Sequence, residues 1–360
     1  MKYLKECWYM VGWADDFAPE TLVPFTLLGE AVIIFRKSDG SFGALEDRCC
    51  HRLAPLSCGR LEGDDVRCMY HGLKFNAQGA CIEIPGQDRI SPKVRVRSYL
   101  ALERHSAVWL WMGEGEADEQ LIPEFIGINH PDWAMLPGQM DYQAHYRLIN
   151  NNLLDLSHLT YVHNAADSFA AEDQWALSKM QVQQIPRGVR VGRWIESARR
   201  PGILGQSDEI TDHWSTFDFL VPGVFLLYIY VFEAGTAARC NRQEPPADLP
   251  PLRKTFTCQA VTPLTEKTTS YFFAVGPNAE NADKKHLFLQ MTKNAFAEDQ
   301  QIIEAQQKCI DRSPGVAVIP LAMDQAVMAF NRMFDELIAA QAGQGSHLNF
   351  KEVVTDAVHQ

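Results

Sequence analysis

Long apolar runs are missing from this 360-residue chain. The longest, Phe217 to Phe232, is interrupted by Pro222-Gly223 and carries Asp218. It falls short of the roughly 18 unbroken apolar residues that a membrane span needs, so no transmembrane helix is expected. The N-terminus, MKYLKECWYM, has two lysines but no long apolar stretch before Asp15-Asp16, which argues against a secretory leader and for a cytoplasmic protein. Positive charge is scarce as well. Against 45 Asp and Glu stand 33 Lys and Arg, a net charge of -12, so nucleic acid phosphates and anionic membranes are not expected partners. Internal repeats and low-complexity tracts are also lacking. What remains is a chain whose partners should be other proteins and small molecules.

At 46% hydrophobic residues the chain can bury a sizeable core, and its length suggests two domains. The nine cysteines are odd in number and come without an export signal, so they read as reduced thiols or metal ligands, not as a disulfide framework. The first 115 residues are β-rich. Ala31 to Phe35 and Phe42 to Leu45 flank Ser38-Asp39-Gly40, a hairpin signal, and Leu73 to Phe75 and Cys81 to Ile84 flank Asn76 to Gly79, a second one. An acidic, glycine-containing segment, Gly113 to Pro123, marks the expected boundary. We expect domains at 1–115 and 121–345 and a tail at 346–360. The second domain mixes aromatic and β-branched strands (Val189 to Ile195, Thr216 to Leu220, Phe225 to Phe232, Thr255 to Val261, Thr269 to Val275) with helices at 148–163 and 283–309. An α+β fold around an antiparallel sheet follows. The proline-rich stretch Cys240 to Leu252 is a loop, either a lid or a surface excursion.

Cys49-x-His51 and Cys68-x-x-His71 place two thiolates and two imidazoles on two loops, with Pro55, Gly59 and Gly72 beside them to let those loops turn. Two cysteines and two histidines are the ligands of a Rieske [2Fe-2S] centre, in which the neutral imidazoles raise the potential. A structural zinc site also accepts this donor set, but it usually presents Cys-x-x-Cys pairs, so the arrangement favours the cluster. Cys50, Cys58 and Cys81 read as small buried hydrophobes.

In NNLLDLSHLTYVH, residues 151–163, a carboxylate and two imidazoles fall within nine positions. His158 and His163 are five apart, about 140° out of register on an ideal helix, so both can face one metal only where the helix ends or bulges. On the later helix Met291, Ala295, Asp299, Ile302, Ile303 and Gln306 share a stripe, and Asp299 interrupts its apolar character. A carboxylate there is costly to bury unless paired or bound to metal, and two histidines with one carboxylate form the facial triad of non-haem Fe(II) oxygenases.

These motifs, with IPGQ at 84–87, CCHRLAPLSCGRLEGDDVRCMYHGLKF at 49–75 and AFAEDQQIIEAQQ at 295–307, resemble the Rieske oxygenases over nearly the whole chain, the group of vanillate O-demethylase, toluenesulfonate methyl-monooxygenase and dicamba O-demethylase in particular. The resemblance implies an all-β Rieske domain followed by a helix-grip catalytic domain. It implies that Cys49, His51, Cys68 and His71 hold the cluster and that His158, His163 and Asp299 hold mononuclear Fe(II). It also implies Asn152 and Asp155 as catalytic residues, Asp155 bridging His158 to His71 of a neighbouring subunit in a head-to-tail homotrimer. Asp155 stands one turn before His158, so its carboxylate is expected to accept a hydrogen bond from that imidazole. Electrons from NAD(P)H would arrive through a separate flavin and [2Fe-2S] reductase, with or without a ferredoxin, and O2 would be the co-substrate. The expected reaction is hydroxylation of an aromatic substrate, foremost O-demethylation of a methoxylated aromatic acid. Methyl hydroxylation, N-dealkylation and ring cis-dihydroxylation are the alternatives, and an electron-transfer ferredoxin would leave the second motif without a purpose. The pocket is expected among Trp194, Trp214, Phe217, Phe219, Phe225, Tyr228, Tyr230 and Phe232. Gln259, by the resemblance, and Lys254, Arg199 or His213, by charge, are candidate substrate contacts.

Overall fold

The computed structural model describes residues 3–163, 174–199 and 209–343, so the expected tail at 346–360 lies outside the described residues. Two compact units are present, one of Tyr3–Glu124 with Thr262–Lys267, the other of Phe125–Val261 with the chain from Thr268 onward.

The first unit is all β. Its strands are β1 (Trp8–Trp13), β2 (Val23–Leu27), β3 (Glu30–Arg36), β4 (Phe42–Glu46), β5 (Arg60–Glu62), β6 (Asp65–Arg67), β7 (Lys74–Phe75), β8 (Cys81–Glu83), β9 (Ser98–Tyr99), β10 (Ala101–Arg104) and β11 (Ala107–Trp111). They form three sheets, β1-β11-β10, β2-β3-β4-β9 and β5-β6-β7-β8. Both expected hairpins are here, β3 with β4 and β7 with β8. In the second, the Asn76 side chain accepts from the backbone N–H groups of Gln78 and Ala80, an Asx-type turn that needs no longer-range help. Gly79 completes it at φ +76°, and a Cβ there would lie 2.2 Å from the Val96 carbonyl oxygen. Ile33, Phe35, Leu45, Leu56, Val66, Phe75 and Val96 pack into one cluster that includes Cys49 and Cys68. The thiols are thus fixed by apolar packing as well as by the chain.

The second unit is built on a seven-stranded antiparallel sheet in the order β12-β18-β17-β16-β15-β14-β13. The strands are β12 (Leu136–Tyr142), β13 (Gln181–Ile185), β14 (Gly188–Arg199), β15 (Ile210–Leu220), β16 (Val224–Glu233), β17 (Arg253–Pro263) and β18 (Thr269–Gly276). The helices are α1 (Tyr146–Leu154), α2 (Leu159–Val162), α3 (Gln174–Leu177), α4 (Thr236–Arg239), α5 (Lys285–Arg312) and α6 (Gln325–Gly343). The long helices cover one face. Phe219 meets Phe330 of α6 edge-on at 4.7 Å, and Phe273 meets Phe296 of α5 at 5.0 Å. Gly138 opposite Phe273 leaves room for that ring, since a Cβ would stand 2.1 Å from it. None of the helices among the described residues is long and apolar enough to cross a membrane.

Register divides the aromatic residues between the two faces. Trp194, Trp214 and Tyr230 lie opposite one another across three strands, as do Thr216, Tyr228 and Phe256, while Phe219, Phe225 and Gln259 form the alternate row. Side chains of a strand alternate, so Trp194, Trp214, Tyr228, Tyr230 and Phe232 point away from the helices, and only Phe217, Phe219 and Phe225 of the expected pocket point toward them. The expectation of one aromatic pocket is corrected accordingly. The loop 240–252 covers the outward face: Trp194 Nε1 donates to the Gln243 carbonyl at 2.8 Å, and a groove of about 540 Å³ runs between Trp214, Tyr228 and Tyr230 and the loop's Pro245, Pro246 and Pro251.

Phe75 is fully buried in the cluster that holds Cys49 and Cys68. Phe75→Ala is expected to cost about 3–5 kcal/mol of stability and to lower the content of iron and acid-labile sulfide in purified protein. Denaturant unfolding and metal analysis read the two effects.

Candidate metal centres

Two loops in the first unit share one design. Leu53 N–H donates to the Cys49 carbonyl at 2.9 Å, and Gly72 N–H to the Cys68 carbonyl at 3.0 Å, so each cysteine opens a tight turn of equal length. Each turn closes on a left-handed residue, Leu53 at φ 59° and Gly72 at φ 76°. At Gly72 a Cβ would also lie 2.8 Å from Pro85. The cysteines point inward and are buried, while His51 and His71 stand at the exposed tips with ring centroids 4.6 Å apart. Burial, with the Cys68 thiol alongside, pushes the Cys49 thiol up to about 11. Two neutral thiols packed together gain nothing from water, whereas iron binds both as thiolates, so this donor set fits a metal cluster. His71 is held below the ordinary imidazole value by desolvation and by the nearby His51 and Arg52. It therefore offers a neutral ring, the form that binds metal. All nine cysteines are free; Cys81 is buried as expected, but Cys50 and Cys58 are exposed, because both lie on loop surfaces outside the packed cluster.

The second donor set forms where the expected helix at 148–163 breaks. α1 stops at Leu154, Asp155 is extended at φ -125° and ψ 93°, a single 3-10 turn spans Leu156–His158, and α2 follows. The break lets both imidazoles turn toward α5. One donor atom from each of His158, His163 and Asp299 lies within 4.8 Å of the others. Asp299 reaches both rings through its two oxygens, 3.3 Å from His158 Nε2 and 3.5 Å from His163 Nε2. The stripe that carries it is corrected in detail. Ala295, Asp299, Ile303 and Gln307 are buried at steps of four, while Ile302 and Gln306 are exposed, because the contact with the sheet follows the i, i+4 row alone.

The surrounding groups fix the rings. His158 Nδ1 donates 2.6 Å to the Asp155 backbone carbonyl, and His163 Nδ1 bonds Glu298 Oε2 at 2.7 Å, which leaves both Nε2 lone pairs for a metal. Asn152 Nδ2 donates to Asp299 Oδ1 at 3.2 Å. The Asp155 carboxylate does not accept from His158 as expected. Its Oδ1 instead accepts from Ser157 N–H at 2.9 Å, because Asp155 serves as the N-cap of the 3-10 turn. Glu298 does not stand out in the sequence, although it lies beside Asp299 in AFAEDQQ, because it falls off the buried row of α5 at a half-buried position.

The remaining candidates are dispersed. Gln259 is buried on the helix-facing side of β17, where its oxygen accepts from Tyr271 Oη and its nitrogen donates to Thr257 Oγ1 at 3.2 Å. Burial holds His213 down to about 4, and its ring bonds Thr211 at 2.9 Å, so at neutral pH it is an uncharged part of the sheet. Lys254 lies on the outward face, 5.7 Å from the Trp133 ring centre, and Arg199 is exposed at the end of β14.

An all-β unit with paired Cys and His loops, followed by a helix-gripped sheet carrying a His-His-Asp set, defines a Rieske non-haem iron oxygenase component. Residues 7–99 match the Rieske [2Fe-2S] domain, and residues 142–340 match the vanillate O-demethylase oxygenase C-terminal domain. The chain belongs to that oxygenase family. It is 35% identical over 350 residues to the iron-sulfur subunit of the toluene-4-sulfonate monooxygenase system of Comamonas testosteroni, covering 95% of this chain and 99% of that protein. It is 28% identical over 359 residues to the oxygenase component of dicamba O-demethylase of Stenotrophomonas maltophilia, covering 95% and 100%. A crystal structure of dicamba monooxygenase bound to 3,6-dichlorosalicylic acid superposes with a TM-score of 0.83 at 24% identity over 96% of this chain and 100% of that one, which shows the shared fold. The protein is thus an O2-incorporating oxidoreductase that carries a Rieske cluster and a mononuclear iron and takes its electrons from a separate reductase.

Burial alone would lower the His158 pKa, but hydrogen bonding and charge from Asp299 outweigh it and hold the ring above the ordinary value. In protein stripped of iron, this charged pair contributes stability that is fully present below the unfolded pKa of about 6.5 and is lost as pH rises through the higher folded value. Iron requires the neutral ring and must displace that proton at low pH. The gain in melting temperature on adding Fe(II) to stripped protein should therefore be larger at pH 8 than at pH 6; equal gains would contradict the coupling. Glu298→Gln should weaken mononuclear iron binding about 10- to 100-fold while leaving the visible spectrum of the cluster unchanged.

Proposed function

We propose that this chain hydroxylates a methyl carbon attached to an anionic aromatic substrate, foremost the methoxy carbon of an aromatic acid. The observation that carries this reading is the His158, His163 and Asp299 set, with both imidazoles locked in the metal-binding tautomer. Bound iron at the two sites supplies electron transfer and oxygen activation. For the methoxy substrate the balance is one aryl methyl ether, one O2, two electrons and two protons, giving a phenol, formaldehyde and water. Hydroxylation of an aryl methyl group to an alcohol is the second reading, favoured by the 35% identity to the toluene-4-sulfonate subunit.

In this reading Cys49, His51, Cys68 and His71 hold the cluster, and Asn152 steadies Asp299 through its side-chain amide. Asp155 fixes His158 through its backbone carbonyl, and the carboxylate oxygen that Ser157 does not engage is assigned to His71 of an adjacent subunit in a head-to-tail trimer. His71 is exposed, with the Tyr70 ring beside it at 4.0 Å and tilted by 47°, which suits a ring that meets a partner. The reductase is assigned to the flavin and [2Fe-2S] type. Nine free thiols suit a reducing compartment, and we assign the protein to the cytoplasm.

Turnover of a panel of methoxylated and methylated benzoates and benzenesulfonates with reductase, NADH and 18O2 tests the reaction. Formaldehyde or a singly labelled benzylic alcohol is the expected product; a doubly labelled cis-diol would sink the proposal. Asp155→Asn should retain both iron contents while lowering turnover about 10- to 100-fold, and wild-type turnover would remove the bridging role.

A further inference from the structure

Arg193 is among the largest fully buried side chains, only 1% exposed, on the helix-facing side of β14. One end is secured: Nη1 donates to the Trp175 carbonyl at 3.2 Å and to Ser157 Oγ at 3.4 Å. The other edge, Nε and Nη2, is buried with no acceptor among the described residues. Directly across the strand pair, Ser215 on β15 points the same way, and its Oγ is also buried without a partner. Burial lowers the guanidinium to about 10, and the charge of Asp155 works against that shift, so the group stays cationic at neutral pH. Asp155 is not its hydrogen-bonding partner, since among the described residues Arg193 hydrogen-bonds through Nη1 alone.

A buried guanidinium edge without an acceptor is costly, and the Nε–Nη2 edge is the fork that takes both oxygens of one oxyanion. The position also has a meaning, because Ser157, which Arg193 grips, immediately precedes the iron ligand His158. We propose that the Nε–Nη2 edge of Arg193, with Ser215 Oγ, is an oxyanion subsite that binds the carboxylate or sulfonate of the aromatic substrate on the iron-facing side of the sheet. This deepens the proposed function and rests on it for the identity of the anion. The subsite orients the ring by its charged end and leaves the methyl-bearing end for the metal centre. Lysine cannot replace it, since an ammonium offers a point charge where the fork matches two oxygens.

The test uses the full-length protein with both irons, under anaerobic conditions, and measures equilibrium binding of 4-toluenesulfonate and of its neutral isostere 4-toluenesulfonamide by calorimetry. Wild type should favour the sulfonate, and Arg193→Gln should weaken sulfonate binding about 10- to 100-fold while changing sulfonamide binding little. Arg193→Lys should recover only part of the loss. Iron content, sulfide content and melting temperature of each variant report whether Arg193 is merely a brace for the 3-10 turn. Where Arg193→Gln does not fold, Ser215→Ala and the wild-type preference decide: equal wild-type affinity for the two probes overturns the subsite, as does a variant that weakens both alike. Anion-selective, Arg193-dependent binding without methyl-hydroxylation product would uphold the subsite and remove the proposed reaction; such product from aromatics bound independently of Arg193 would do the reverse.

Discussion

A carboxylate buried on the sheet-facing row of α5 governs the second unit. Asp299 lies between Ala295 and Ile303 on the face that α5 turns toward the sheet, and an isolated ion there would be strongly destabilising. Its oxygens are met by the His158 and His163 rings and by the Asn152 amide. Meeting those demands from one short stretch of chain requires that α1 end, that Asp155 extend, and that the chain turn once through a 3-10 segment before α2. The helix break is therefore part of the site, and the backbone carbonyl freed at Asp155 is what orients His158.

The first unit solves a different problem with related means. Its donors come from two loops, which lack the stiffness of a helix. Stiffness is supplied by equal turns closing on Cys49 and Cys68 and by a hydrophobic cluster in which the two thiols are themselves members. The imidazoles project outward from those turns. A cluster that must be held firmly and yet exchange electrons is served by buried sulfur on one side and exposed nitrogen on the other.

Between the helices and the sheet, strand alternation sorts what the substrate can meet. Phe217, Phe219 and Phe225 face the helices, while a larger group of aromatic residues faces away and is roofed by the proline-rich loop. Arg193 shares the helix-facing side, and its charge there is as conspicuous as that of Asp299, but with its fork edge unengaged. One buried charge is matched from within the chain and the other is left for a ligand.

Much of this was legible in residue spacing. The Cys-x-His and Cys-x-x-His loops, the hairpin turn at Asn76 to Gly79, and the break demanded by histidines five apart are local facts, decided within a few residues by turn chemistry and helix pitch. The strand segments of the second sheet were also readable, and so was the misfit of Asp299 on its helix. What spacing did not supply was partnership across long separations. The role of Glu298, the diversion of the Asp155 carboxylate to Ser157, the exposure of Ile302, the division of the aromatic residues and the orphaned edge of Arg193 all depend on which face of an element meets which neighbour. Residue spacing alone singles out the candidate ligands of both sites, because they are tied by short stretches of chain or by one conspicuous misplaced charge. Only the tertiary structure decided what surrounds them, because in a sheet a shift of one residue exchanges the two faces, and that register is set by packing among strands distant in sequence.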